Sequence, residues 1–155
     1  MAHFLALVVT ATPQDLAAAL RPFALGSGDS QEQPHFVFVD DRHADRDPAT
    51  GARGYWRNPR GQWDGWVLGG NWHWILDDGP WPHAPETAAN QRSRADFDLW
   101  LTRTPERLEY VFALVSGDLW LEAQPSFRPS WQTQLHNHLR ALPPTSWISA
   151  VDCHC

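Results

Sequence analysis

The sequence predicts an α+β domain with a ferredoxin-like antiparallel sheet, split into two halves by a tryptophan-rich insertion at about residues 41–108. Three observations lead there. The chain opens on a continuous apolar run, a helix start and a second apolar run. It closes in the same way, with a strand, a helix and a strand. Between the halves lie six of the ten tryptophans, Trp56 to Trp81. Two split βαβ halves make a sheet of four or five strands with both helices, 13–23 and 129–142, on one face.

The elements follow in order. His3 to Thr10 is unbroken and rich in Leu and Val, as a strand buried on both faces requires. Thr12-Pro13-Gln14-Asp15 starts a helix: Thr12 caps it, Pro13 takes the first helical position, and Asp15 meets the positive end of the dipole. Leu16, Leu20 and Phe23 follow at helical spacing, and a polar loop runs from Gly26 to Pro34. Phe36 to Val39 is the second strand, and Asp41 to Gln62 a long surface loop. Trp63 to Leu68 and Asn71 to Leu76 are expected to pair as a hairpin across Gly69-Gly70, where glycine tolerates positive φ. Alternatively, Gly-Gly lets backbone approach a ligand closely. Glu86 to Arg103 reads as a helix with Phe97, Trp100 and Leu101 inward. Glu109 to Val115 is a strand that turns at Gly117-Asp118 into Leu119 to Glu122. Pro129 opens the last helix, with Trp131, Leu135, Leu139 and Leu142 on one face. Trp147 to Cys153 is the final strand. The open sheet face is left for the insertion or a second subunit, so a homodimer is among the arrangements the sequence admits.

At 155 residues the chain forms one domain. Its net charge of −6 argues against nucleic acid, which needs a basic face. All twelve cationic side chains are Arg; GC-rich coding accounts for this better than anion recognition, the other reading, does. Cys153 and Cys155, two apart on an extended segment, suit each other poorly as a disulfide. A reducing cytoplasm is the expected compartment. The run Phe4 to Val9 is too short to span a bilayer and lacks a cationic flank, so it reads as a strand and no membrane is expected.

The segment Trp63-Asp64-Gly65-Trp66-Val67-Leu68-Gly69-Gly70-Asn71-Trp72-His73-Trp74 offers flat apolar walls beside a few polar groups. It is expected to bind a small aromatic or anionic ligand, such as a nucleotide, against the C-terminal strand. Trp63, Trp66 and Trp72 would stack, and Asp64, Asn71 and His73 would make polar contacts. Gly69 and Gly70 would allow close approach, and Arg57, with Arg53 and Arg60, would meet an anion.

The ending Asp152-Cys153-His154-Cys155 is the second candidate. On a strand, Asp152 and His154 share one face and the cysteines the other. Asp can orient His, or the two can share a metal; thiolates with His hold a soft transition metal. Asp152 and His154 are the candidate acid/base pair of a metal-assisted hydrolase. Cys153 and Cys155 are further candidate ligands, and Asp40, Asp64 or His73 the third group. No second C-x-x-C or H-x-x-x-H accompanies them, so the metal signal is weak. Asp40, Asp41, His43, Asp45 and Asp47 lack the glycine and closing glutamate of an EF-hand and read as a solvated loop. His136 and His138, two apart on a helix, cannot face the same way. No serine elbow is present. A different class of function, a protein-interaction module such as an inhibitor of a host enzyme, would present its tryptophans as an exposed patch.

Trp63-Asp64 with Gly69-Gly70-x-Trp72, Phe112-Ala113-Leu114-Val115 with Trp120-x-Glu122, and terminal Val151-Asp152-Cys153-His154 together resemble a family of small uncharacterised proteins from actinobacteria, other bacteria and phages. The resemblance spans most of the chain and implies a shared fold but no particular activity. Asn71 stands where that pattern has Arg. Ala123-Gln124-Pro125-Ser126-Phe127 replaces a Met-Gly-Trp-Trp-Gly-like turn. The resemblance therefore implies that any anion site resting on that arginine is altered here, while a site at Asp152-Cys153-His154 is retained.

Overall fold

The computed structural model describes residues 2–25, 34–77, 90–124 and 128–155. Most of the polar loop at 26–34, Trp81, and the first residues of the helix expected from Glu86 lie outside them. In chain order the strands and α-helices are β1 (His3–Thr10), α1 (Leu16–Leu20), β2 (Val37–Asp40), β3 (Gly54–Arg57), β4 (Gly65–Leu68), β5 (Gln91–Ser93), α2 (Arg94–Arg103), β6 (Val111–Ser116), β7 (Leu119–Glu122), α3 (Arg128–Arg140) and β8 (Trp147–His154). No described helix is long and apolar enough to cross a membrane.

The protein is α+β, with a mixed sheet around β1. β8 runs antiparallel to β1, from His3 opposite His154 to Thr10 opposite Trp147. β6 lies on the other side of β1 and runs parallel to it. β7 returns against β6 through Gly117, at φ 57°. The outer edge of β8 is shared: β4 pairs with its 151–154 end and β5 with its 147–149 end.

The first and last strands are neighbours, as expected. Five expectations need correcting. The sheet is not wholly antiparallel, because β1 and β6 run parallel. The second apolar run does not join it: β2 pairs with β3 in a separate two-stranded sheet. Gly54, opposite Asp40, has no side chain, and a Cβ there would strike the Phe38 ring and the Val39 carbonyl. The segment at 41–108 is part of the frame, because it supplies the edge strands β4 and β5. The helix expected from Glu86 starts only at Arg94, and Ser93 caps it by accepting the Asp96 N–H at 3.3 Å.

The fifth correction concerns layers. Leu5 and Leu7 point to one side of β1, where Phe97 and Trp100 of α2 and Trp131, Leu135 and Leu139 of α3 bury them. Ala6 and Val8 point to the other side, against Leu16 and Leu20 of α1 and Phe23. The first and last helices therefore lie on opposite faces. The reason is in β1 itself: a strand apolar at consecutive positions needs cover on both sides. The tryptophan segment divides likewise. Trp72 and Trp74 pack on the α2–α3 side, and Trp63 and Trp66 on the α1 side.

Leu20 and Leu135 are both fully buried, on opposite sides of the sheet. Each change, Leu20→Ala and Leu135→Ala, is expected to lower stability by about 2–5 kcal/mol in denaturant unfolding. A loss below about 0.5 kcal/mol at Leu20, the size of a surface change, would show that α1 does not cover the second face.

Candidate functional site

Register assembles the site. Directly paired residues on neighbouring strands point to the same side, as do residues two apart along one strand. His3 is opposite His154, and Leu5 is opposite Asp152. Both histidines and Asp152 therefore share the α2–α3 face at one end of the sheet. Asp152 is 4% exposed. Its Oδ1 lies 3.0 Å from His3 Nδ1, and its Oδ2 accepts the Asn71 N–H at 2.9 Å. A buried carboxylate needs such partners, since unpaired burial of charge is costly.

The Gly-Gly turn exists for this carboxylate. Gly69 (φ 75°) and Gly70 (φ 52°) leave β4 in conformations that L side chains rarely adopt. A Cβ on Gly70 would lie 2.5 Å from the Asp152 Cβ. The chain then enters a 3-10 turn at Gly70–Trp72 that aims the Asn71 N–H at Asp152. The expected hairpin is thereby corrected: β4 pairs with β8, and the residues after Gly70 form turns. Close backbone approach is what the glycines serve, with Asp152 as the group approached.

His154 sits over Gly65, its partner on β4, where a Cβ would lie 2.1 Å from Nε2. Its Nε2 is 3.8 Å from Asp64 Oδ1. The His3 and His154 rings are 5.4 Å apart between centroids. Two histidines, each facing a carboxylate, thus stand side by side.

A cleft of about 500 Å³ opens on the same face. Trp72, Tyr110 and Trp131 wall it, with Val111 on its floor and Glu109 and Gln132 at its polar side. Val111 and Asp152 both pair with Leu5, so they flank β1 at roughly 10 Å by strand spacing. Trp72 follows Asn71 directly, and its ring lies 6.2 Å from Tyr110. Trp74 meets Tyr110 edge-on at 5.3 Å, and Arg107 holds the turn below by donating to the carbonyls of Trp74, Ile75 and Asp77. Trp131 donates its Nε1–H to the Val111 carbonyl at 2.8 Å. The register of β6 slips here, leaving Phe112 as an extra residue between the partners of Leu5 and Ala6.

Of the residues expected to bind, Asp64, Gly69, Gly70, Asn71, Trp72 and His73 gather around Asp152 and His154. Asn71 contributes its backbone, and His73 turns Nδ1 to the Gly70 carbonyl at 2.9 Å. Trp63 and Trp66 do not join them, because Trp66 pairs with Cys153 and shares its opposite face. Arg57 is exposed on the second sheet. Arg53 donates to the Ala44 carbonyl, and Arg60 lies over Phe23 and donates to Asp118. The three arginines form no common anion site.

The proposed metal set is divided by the sheet. Cys153 is fully buried on the α1 side, and burial, then the Asp152 charge, pushes its thiol up to about 12. Among the described residues no three His, Cys, Asp or Glu side chains are grouped to hold a metal ion. Of the nine described tryptophans, Trp100 and Trp131 are buried and the other seven are half-buried. His3 was missed in the sequence because its role appears only when β1 is laid against β8.

Gly70→Ala is expected to cost about 1–3 kcal/mol for the positive φ alone, read in denaturant unfolding. Gly65→Ala presses on a side chain that can rotate, so the His154 NMR signals should shift with a smaller stability loss. Native protein at pH 8 should show one reactive thiol, Cys155, with Cys153 reacting only after unfolding, because the thiolate is the reactive form. Equal reactivity of both would contradict its burial.

Compared with known proteins, the chain matches no family model, no curated protein and no solved structure.

Proposed function

We propose that the protein binds a small aromatic ligand in the cleft between Trp72, Tyr110 and Trp131, beside the C-terminal strand. The observation that carries this reading is the aromatic wall: Tyr110 remains 44% exposed while its ring contacts Trp72 and Trp74. Flat apolar faces with a few polar atoms are the usual make-up of a small-molecule site. The Trp72 Nε1–H is buried and finds no acceptor among the described residues.

The lining also bears on charge. Among the described residues that line the cleft, Glu109 is the one that carries charge. Neutral or cationic aromatics are therefore favoured over the nucleotides and other anions that the arginines suggested, and rings of this kind hold cations well. Metal-assisted hydrolysis has less support, because Cys153 faces the other side of the sheet.

Tryptophan fluorescence titrated with indole, benzyltrimethylammonium and AMP tests this. Indole or the ammonium probe is expected to change the emission, and Tyr110→Ala to abolish the change. AMP is expected to leave it unaltered. Silence from the first two probes, or a response that Tyr110→Ala leaves intact, would overturn the reading.

A further inference from the structure

We infer that His3 is a proton-transfer group, that Asp152 positions it, and that it serves ligands bearing a hydroxyl or ammonium group. The ligand class rests on the cleft reading above; the histidine–carboxylate pair stands on its own geometry.

The pair is built, and at some cost. Asp152 is nearly sealed from water, yet each of its oxygens has one donor, His3 Nδ1 and the Asn71 N–H. Gly70, at positive φ, makes room for it. An ionised carboxylate only accepts, so the proton between the two groups belongs to His3 Nδ1. That leaves a lone pair on Nε2. The His3 side chain is 42% exposed, so the ring is tethered on its buried side and open on the other. A carboxylate held behind an imidazole fixes its tautomer and its orientation.

The surroundings fit proton transfer. His154 lies beside His3, and its own carboxylate neighbour is Asp64. The groups that face His3 are thus Asp152 and His154, with Asp64 behind the latter. Along β1, His3 is two residues from Leu5, whose partner Val111 floors the cleft, so His3 lies roughly 8 Å from Val111 by strand rise and spacing. An aromatic ligand against Trp72 and Tyr110 can carry a polar arm that far. In the transfer, the O–H or N–H bond of the ligand breaks and an N–H bond forms at Nε2. The ring becomes an imidazolium beside the Asp152 carboxylate. The reverse step returns the proton.

The test uses the full chain. Nitrogen-15 NMR of neutral His3 is expected to show the proton on Nδ1; a proton on Nε2 would overturn the proposal. Diethyl pyrocarbonate at pH 8, read residue by residue in peptide mass spectra, is expected to acylate His3 faster than exposed His138. Asp152→Asn should slow His3 by about tenfold or more and leave His138 unchanged. If that variant does not fold, the tautomer in the unaltered protein decides. A His3 no faster than His138, or indifferent to Asp152→Asn, would refute the pair. Benzyltrimethylammonium, at concentrations that saturate the fluorescence change, should protect His3. Acylation at an unchanged rate would refute the placement of the ligand beside His3 while leaving the cleft reading intact. A missing fluorescence change with a reactive, Asp152-dependent His3 would do the opposite.

Discussion

The pairing of β1 with β8 is the constraint on which the rest of the structure depends. It joins the two ends of the chain, and Ala2 and Cys155 extend it by exchanging N–H and carbonyl groups. Every other member of the main sheet is placed against one of these two strands, or against β6 beside them. Because both strands are apolar on both faces, helices must pack above and below. The same pairing makes the site, for His3 and Asp152 are 149 residues apart in sequence. Contacts of such separation carry a large loop-closure cost before they return anything, so the site is complete only when the fold is.

The site is held at the expense of local stability. A buried carboxylate, two glycines in left-handed or strained backbone and a slipped register in β6 all sit within a few residues of one sheet end. Each departs from what packing alone prefers. The α1 side of the same strands shows the contrast: Ala6, Val8, Val151 and Cys153 are all apolar or neutral and buried. The buried carboxylate lies on one face and at one end, where the cleft also opens.

The tryptophans serve two purposes that composition cannot separate. Trp100 and Trp131 are core residues of the α2–α3 layer, and Trp63 and Trp66 cover the α1 layer from the side. Only Trp72 links the buried carboxylate to the cleft. Its neighbour Trp74 supports Tyr110, with Arg107 stacked 5.7 Å from its ring. Aromatic density in the chain thus marks the edge of the sheet where both layers must be closed, and one residue of it marks the site.

The sequence by itself determined the α+β class, the strands at both ends, the last helix and its apolar face, and the Gly117 turn. These are local matters: periodicity, caps and backbone freedom are written in neighbouring residues. It also placed Asp152 and His154 on one face, because alternation along a strand is local too. Tertiary structure decided which strands pair, that α1 and α3 lie on opposite faces, that Trp63 and Trp66 turn away, and that His3 meets Asp152. Strands of similar composition do not name their partners. A residue's side of the sheet is known from its own strand, but its neighbour across the sheet depends on register, which is set only when the whole core closes.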